Sequence, residues 1–426
     1  MPNVSKKYND NLLGWLLFIY LAITILLFEF GPWPWPVKNK LVLYLFLLAV
    51  QLSFLLGFLF SAKNYKDKAL CSFDYRRILY ISIFINLVLV LPTSYYRTGV
   101  LIPNFSGIFS NLGEVYFATQ EIRSGNSKTI EYIRIILSPL LFAYLPIALF
   151  YWREIKKSVK IMVVFTVVIN LFISINMGIS KAFVDLVIIF FVTTVAKRKH
   201  YNSNRVSKKL ITNISIVLIF MLFLSYFGQA QQGRLSDDYR FYDHRAHISA
   251  DTDNILLKIT PSALDFAVIQ LTSYTTQGYY GLSLSMQEQF DWTYGLGHST
   301  FLYKNIDSIL NNFSTIEEKV YPYKTIKYGW DPYIRWSSFY SWVASDVTFF
   351  GVPLLIFIIA YLLGLAWRDT ITGGNVFSVL SLAYLCIMVF YWPANNQIFQ
   401  TGESFVGFSV IIVCWLLTRK WKIKIK

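Results

Sequence analysis

Long apolar runs alternate with short polar segments along most of the chain. A bilayer core about 30 Å thick requires roughly 20 apolar helical residues to cross it, and runs near this length recur about ten times. Because backbone polar groups in lipid must pair within the protein, we interpret these runs as helices. They cover approximately residues 12–30, 41–61, 78–96, 133–152, 161–177, 182–196, 210–227, 346–366, 375–392 and 404–418.

Two longer segments separate these runs, at residues 97–132 and 228–345. The second is rich in Tyr, Trp and Phe, which is unlike the low hydrophobicity of disordered chain. Loops of this length are commonly functional, so we expect a folded domain there. Within it, residues 259–274 have helical spacing with Pro261 near the start, and their length and polar residues predict a helix lying at the membrane interface.

The sequence therefore predicts an all-α fold. It predicts a polytopic integral membrane protein with about ten transmembrane helices and one long folded extracytoplasmic loop. The predicted organisation is an N-terminal membrane region of seven helices at 1–227, the loop domain at 228–345, and a C-terminal membrane region of three helices at 346–426.

Charge placement indicates topology. The 426 residues are 55% hydrophobic and carry a formal net charge of +15. Lys and Arg concentrate in alternate short segments, which marks those segments as cytoplasmic. These segments contain Lys6, Lys7, Lys63, Lys66, Lys68, Arg76, Arg77, Arg153, Lys156, Lys157, Lys160, the run 197–209, Arg368 and the tail 419–426. Both termini are thus predicted to be cytoplasmic, and the positive charge does not indicate nucleic-acid binding.

Cofactor and metal motifs are not evident. Cys71, Cys386 and Cys414 have neither disulfide nor metal-ligand spacing. No Gly-rich nucleotide-binding loop occurs in the sequence. His244 and His247 have the spacing of a ligand pair, but no third ligand accompanies them, so we predict a solvated polar loop rather than a metal site.

Arginines flank the long loop. Arg234, Arg240 and Arg245 follow the seventh apolar run, and Arg335 lies near the other end. Guanidinium groups at a membrane boundary are suited to bidentate binding of lipid phosphate. The alternative is ion pairing with the acids of the same loop, Asp237, Asp238 and Asp243.

Further polar residues lie at predicted helix ends. Asp346, in the tract 330–353 that also contains Tyr333, is either a catalytic group or a helix cap. Lys181 and Asp185 are one turn apart, and either bind substrate or neutralise each other. Further candidates for substrate binding and catalysis are Glu403 before the last helix, Arg123 in the first long segment, and His298 in the sequence GLGHST.

This layout resembles the O-antigen polymerases, the Wzy-type oligosaccharide repeat-unit polymerases of bacterial surface polysaccharide pathways. The resemblance covers nearly the whole chain in layout. Local matches are the Gly-x-x-basic turn from Gly178 to Lys181 and the tract with Tyr333, Arg335 and Asp346 followed by Gly351. Many members have arginine at the turn, whereas this chain has lysine, which lacks a bidentate fork.

The resemblance implies a metal-independent glycosyltransferase without cofactors at the outer face of the bacterial inner membrane. Its partners would be lipid-linked oligosaccharide donor and acceptor, membrane lipids and a chain-length regulator protein. Arg234 and Arg335 would hold pyrophosphate, with Arg240, Arg245 and Lys181 as further candidates. Asp346 or His298 would accept the proton of the acceptor hydroxyl.

Two other functions share parts of this layout. An O-antigen ligase uses the same kind of donor and also has a long outer loop, but it transfers glycan to the lipid A core. A flippase of lipid-linked units is expected to carry charges in several helices around a central cavity. The long segment 228–345 favours an enzyme over a transporter.

Overall fold

The protein is described here by a computed structural model. It describes residues 9–65, 73–102, 118–119, 121–122, 128–201, 224, 226–229, 231, 241–310, 315–373 and 375–420. Most of these residues are helical. In the first half the helices are α1 Leu12–Phe30, α2 Lys40–Lys63, α3 Tyr75–Thr98, α4 Thr129–Phe150, α5 Lys157–Asn176 and α6 Lys181–His200.

The second half adds eight helices within the described residues. They are α7 Ile255–Lys258, α8 Asp265–Ser285, α9 Thr300–Leu310, α10 Thr315–Lys319, α11 Tyr321–Lys324, α12 Phe339–Gly373, α13 Val376–Tyr391 and α14 Gly402–Lys420. Short 3-10 turns cover Ser262–Leu264 and Thr325–Tyr328. One two-stranded antiparallel pair, β1 Tyr242–Asp243 with β2 Ile248–Ser249, interrupts the helical architecture.

Seven described helices are long and apolar enough to cross a membrane: α1, α2, α3, α4, α5, α12 and α14. The prediction of an all-α polytopic membrane protein is confirmed at this level. Helix α6 coincides with a predicted span but ends in a basic run, and α13 is apolar but shorter. The predicted span at 210–227 lies outside the described residues except for residues 224, 226 and 227, which are helical.

The structure adds detail to two expectations about α12. Helical residues begin at Phe339, before Asp346, and the non-helical Thr348 separates this first part from the apolar part that follows. Arg368, which was predicted in a cytoplasmic segment, is helical and belongs to α12. Its buried guanidinium donates to Ser61 Oγ and to Asn11 Oδ1, each at 2.7 Å. These partners satisfy a guanidinium that is fully buried.

The helix predicted at 259–274 also differs from the prediction. Pro261 precedes a 3-10 turn, and α8 then runs to Ser285, where most of its residues are buried in protein. The indole Nε1 of Trp33 donates to Ile269 O, and that of Trp35 donates to Thr276 Oγ1, both at 3.0 Å. These two hydrogen bonds attach α8 to the segment between α1 and α2.

The chain divides into two compact units. The first unit comprises residues 1–67, 241–368 and 385–405, and the second comprises 68–240, 369–384 and 406–426. In the first, residues 241–368 pack on the segment that joins α1 and α2: Asp251 N donates to Pro32 O at 2.7 Å. Within the second, Asn86 Nδ2 of α3 donates to Leu141 O of α4 at 3.2 Å. The long loop from residue 241 onward and the helices α1 and α2 thus belong to the first unit.

Candidate active site

Helix α12 is broken close to Asp346. Thr348 has φ 63° and ψ 166°, a backbone region that is almost restricted to glycine. A threonine held there costs on the order of 1–3 kcal/mol, so the surrounding structure must impose this conformation. The break lies two residues after Asp346, inside the helix, so the interpretation of Asp346 as an N-terminal cap is wrong.

The carboxylate of Asp346 is held by a turn from the long loop. Oδ1 accepts the N–H of Gly297 at 2.8 Å, and Oδ2 accepts the N–H of His298 at 2.9 Å. The Thr293 hydroxyl lies within hydrogen-bonding distance of both Oδ1 and Ser345 O. These donors satisfy a carboxylate whose side chain is only 9% exposed.

Gly297 is required for this close approach. A β-carbon at this position would lie 2.6 Å from Thr293 Oγ1 and 2.8 Å from the Cβ of Ser345. Both distances are shorter than side chains tolerate without a shift. The glycine therefore allows the turn to bring its backbone N–H groups onto Asp346.

The imidazole of His298 completes the contact. Its Nδ1 lies 2.8 Å from Asp346 Oδ2, and its ring meets the ring of Phe399 edge-on at 5.1 Å. The carbonyl of His298 accepts the side-chain amide of Asn396 at 2.6 Å. Because the carboxylate is an acceptor, Nδ1 carries a proton and Nε2 of the neutral ring carries the lone pair. A carboxylate-oriented imidazole of this kind is suited to general base catalysis.

Arg335 forms a second polar centre in the same unit. Its Nη2 lies 2.8 Å from Oδ2 of Asp243, whose side chain is 2% exposed. Asp243 Oδ1 also accepts the backbone N–H groups of Arg245 and Ala246. The guanidinium lies over the ring of Trp330, with 5.7 Å between Cζ and the ring centroid. This pair matches the ion-pairing alternative for the loop arginines.

The ion pair does not use all the donors of Arg335. Its Nε is buried and has no hydrogen-bond partner among the residues that the structure describes. Buried N–H groups are nearly always paired, so an unpaired one indicates a place for water or a ligand acceptor. An anion that approaches Nε would be bound by a cation already fixed by Asp243.

The remaining candidates of the first unit are dispersed over it. Tyr333 is exposed, and its hydroxyl donates to Glu317 while Lys304 Nζ lies 4.9 Å from its ring centroid. Arg245 is exposed on the turn between β1 and β2. Glu403 is half-buried in the first turn of α14.

Lys181 and Asp185 belong to the second unit. They form an ion pair across one turn at the start of α6. Gly178 has φ 63°, the left-handed conformation that the tight turn before α6 requires. The pairing favours the mutual-neutralisation interpretation of these two residues.

Arg123, Arg234 and Arg240 lie outside the described residues. His244 packs its ring against Tyr242 at 4.5 Å, and His247 Nδ1 lies 3.5 Å from the hydroxyl of Tyr242. Among the residues that the structure describes, no group of three or more His, Cys, Asp or Glu side chains could hold a metal.

The sequence treated Asp346 and His298 as alternatives, whereas the structure brings them together. The supporting groups Thr293, Gly297 and Asn396 were missed, because nothing in their local sequence indicates a partner so far along the chain. The strain at Thr348 also has no sequence signal, since threonine rarely adopts a positive φ. Asp243 was considered only as a surface partner, although it is buried.

Comparison with protein-family models, with curated proteins and with solved structures finds no match to this chain.

Proposed function

We propose that this protein is a membrane glycosyltransferase that polymerises lipid-linked oligosaccharide repeat units into a surface polysaccharide. The observation that carries the proposal is the contact between His298 and Asp346 beside the break in α12. It supplies an oriented base in a protein whose helices are long enough to span a membrane. The resemblance between the layout of this sequence and that of the O-antigen polymerases supports the same function.

In the proposed reaction, His298 Nε2 removes the proton from a hydroxyl at the non-reducing end of the acceptor. The acceptor oxygen then bonds to the anomeric carbon of the donor saccharide, and the bond from that carbon to the phosphate oxygen breaks. Undecaprenyl pyrophosphate leaves with the bonding electron pair. Asp346 stabilises the imidazolium that forms, because its carboxylate already accepts Nδ1–H.

Arg335 is the proposed binding group for the departing pyrophosphate. Negative charge grows on the leaving oxygen, and a fixed guanidinium stabilises that charge more in the transition state than in the ground state. Its buried Nε has no hydrogen-bond partner among the described residues and would gain one from the pyrophosphate, while Asp243 holds Nη2. Arg234, Arg240 and Arg245 remain candidates for the same anionic group.

The proposal assigns the site to the outer face of the bacterial inner membrane, with both termini cytoplasmic. The support is the distribution of Lys and Arg along the chain. Lipid-linked donor and acceptor would reach the site from that leaflet, and a chain-length regulator is the expected protein partner.

Deletion of the gene in its own host tests the proposal. We expect long surface chains to disappear while the lipid carrier and its surface acceptor still receive single repeat units. Accumulation of lipid-linked polymer without transfer would instead identify a ligase. Accumulation of single lipid-linked units on the cytoplasmic face would identify a flippase. Complementation by the wild type but not by His298→Gln would connect the phenotype to this site.

A further inference from the structure

Two exposed aromatic side chains lie on either side of the threonine that contacts Asp346. Trp292 is 57% exposed and Tyr294 is 53% exposed, whereas Thr293 between them is fully buried. Their ring centroids are 5.0 Å apart with an interplanar angle of 49°. The contacts of Thr293 with Ser345 O and Asp346 hold it inward, so its neighbours are directed outward.

The backbone at this position is held in an unusual conformation. Tyr294 has φ 57°, which is uncommon for a bulky residue, and Gly295 follows with φ 77°. Such strain persists only where the surrounding structure imposes it, and it is common at ligand clamps. In residues 292–298, the left-handed residues Tyr294 and Gly295 connect the aromatic pair to His298, which contacts Asp346.

Polar and charged groups adjoin the aromatic pair. Lys319 Nζ lies 4.9 Å from the ring centroid of Tyr294. Asp291, immediately before Trp292, is 58% exposed and pairs with Lys324 Nζ at 2.5 Å. A surface that combines flat aromatic faces with hydrogen-bonding charges matches a saccharide, which has apolar C–H faces and a rim of hydroxyl groups.

We propose that Trp292 and Tyr294 form a saccharide-binding subsite adjoining the His298–Asp346 pair, and that it holds the non-reducing sugar of the acceptor. This rests on the proposed polymerase function and deepens it. The subsite acts mainly by binding: it holds a sugar ring on Trp292, six positions before the base along a fixed turn, so its loss weakens acceptor binding more than it slows the chemical step.

The competing use of exposed Trp and Tyr is anchoring in the membrane interface. The two uses differ in what they require of the side chain. Stacking on a sugar requires a flat aromatic face, which leucine lacks, whereas an interfacial anchor mainly requires apolar surface. Trp292→Phe, Trp292→Leu and Tyr294→Leu therefore separate the two uses. Trp15→Leu is the matched control, since Trp15 is 45% exposed on α1 and lies apart from the loop turn.

The experiment uses the full-length protein in lipid nanodiscs with lipid-linked repeat units isolated from the host as substrate. Chain extension gives KM for the acceptor and kcat. Binding of the water-soluble oligosaccharide released from those units by mild acid is measured separately by saturation-transfer NMR. Because no lipid is attached to that probe, membrane affinity does not contribute to its signal.

We expect Trp292→Leu and Tyr294→Leu to raise KM for the acceptor about tenfold with kcat within about twofold, the size expected for one lost aromatic contact. The NMR signal should weaken in both variants, and Trp292→Phe should retain most of it. His298→Gln should bind the oligosaccharide normally but not extend it. Trp15→Leu should resemble the wild type.

Unchanged KM and binding in both leucine variants would overturn the subsite. If His298→Gln is then still inactive, the polymerase proposal survives without it. Equal KM and equal oligosaccharide binding in Trp292→Phe and Trp292→Leu would overturn stacking on a sugar and assign the pair to interfacial anchoring. An active His298→Gln variant would overturn the polymerase mechanism itself.

Discussion

Nδ1 of His298 lies 2.8 Å from Oδ2 of Asp346, although 48 positions separate the two residues. The same carboxylate also accepts the backbone N–H of His298. The imidazole is thus fixed through both its ring and its own main chain. This double attachment makes the orientation of the ring depend directly on Asp346.

Replacement of His298 by glutamine should remove the general base and keep a side chain of similar reach. We expect chain extension to fall by about 10²- to 10⁴-fold, the usual contribution of a positioned base. The rate of extension by purified protein in nanodiscs measures this effect. Thermal unfolding of the variant serves as the control, since a structural role would appear there as a lower transition temperature.

Asp346→Asn should lower both stability and activity, although the two side chains have the same shape. Each carboxylate oxygen accepts at least one backbone N–H, so the amide NH2 of asparagine must face a donor. We therefore expect both lower stability and lower activity than for His298→Gln. Wild-type stability in this variant would contradict the hydrogen-bond arrangement described here.

Gly297→Ala tests the close approach of the turn to α12. The new methyl group would lie 2.8 Å from the Cβ of Ser345, so the turn must move away from Asp346. Displacements of this kind reduce rates strongly even when no reacting group is altered, and we expect a loss of about 10²-fold. The protein should still accumulate in the membrane, as measured by immunoblotting of membrane fractions. Full activity would show that the turn is not needed.

Substitutions at Arg335 separate its two roles. Arg335→Ala leaves Asp243 buried without its cation and should cost up to about 3 kcal/mol of stability. Arg335→Lys keeps the charge but lacks the Nε donor, so stability should stay near that of the wild type while extension falls about tenfold or more. Thermal unfolding and extension rates are measured on both variants. Normal extension by the lysine variant would contradict anion binding by Nε.

Thr348→Gly should stabilise the protein. Glycine adopts the conformation at φ 63° and ψ 166° without the steric cost that threonine bears there, which predicts a gain of about 1 kcal/mol. Val347→Gly is the matched control, because a glycine at that helical position should destabilise by about 1 kcal/mol. Thermal unfolding in detergent compares the two. A loss of stability in Thr348→Gly would mean that the threonine side chain holds the break.

Three buried tyrosines of the long loop should make the protein sensitive to high pH. Burial raises the pKa of Tyr321 to about 12, and burial also raises the pKa values of Tyr303 and Tyr323, whose hydroxyls are 2.6 Å apart. The unfolded pKa is about 10. Their stabilising contribution is therefore complete below pH 10 and is lost as pH rises through the folded values.

Phenolate absorbance measured together with circular dichroism checks this prediction. We expect these tyrosines to ionise only as the loop unfolds, well above the pH at which exposed tyrosines ionise. Tyr323→Phe should reduce the absorbance change at unfolding, and Tyr132→Phe, at an exposed position, is its control. Ionisation of all tyrosines near pH 10 without a change in circular dichroism would contradict the buried arrangement.

The apolar pattern was sufficient to predict the helical membrane architecture. Runs such as 12–30 and 161–177 differ from the observed helices Leu12–Phe30 and Lys157–Asn176 by a few residues at most. The reason is that a lipid-spanning segment must form its backbone hydrogen bonds within itself, so a run of consecutive apolar residues is enough to indicate the helix. The same argument gave no indication of the break at Thr348, because the groups that contact the neighbouring Asp346 come from distant parts of the chain.

The sequence by itself determined that Asp346, His298 and Arg335 are chemically suitable residues near helix ends or in the long loop. Only the tertiary structure decided that His298 contacts Asp346, that Arg335 pairs with buried Asp243, and that Thr348 is strained. These relationships depend on contacts between distant segments, and their energies come from packing and burial rather than from local backbone preference. The linear pattern of the sequence therefore indicates local backbone preferences, whereas contacts between distant residues are seen only in the folded structure.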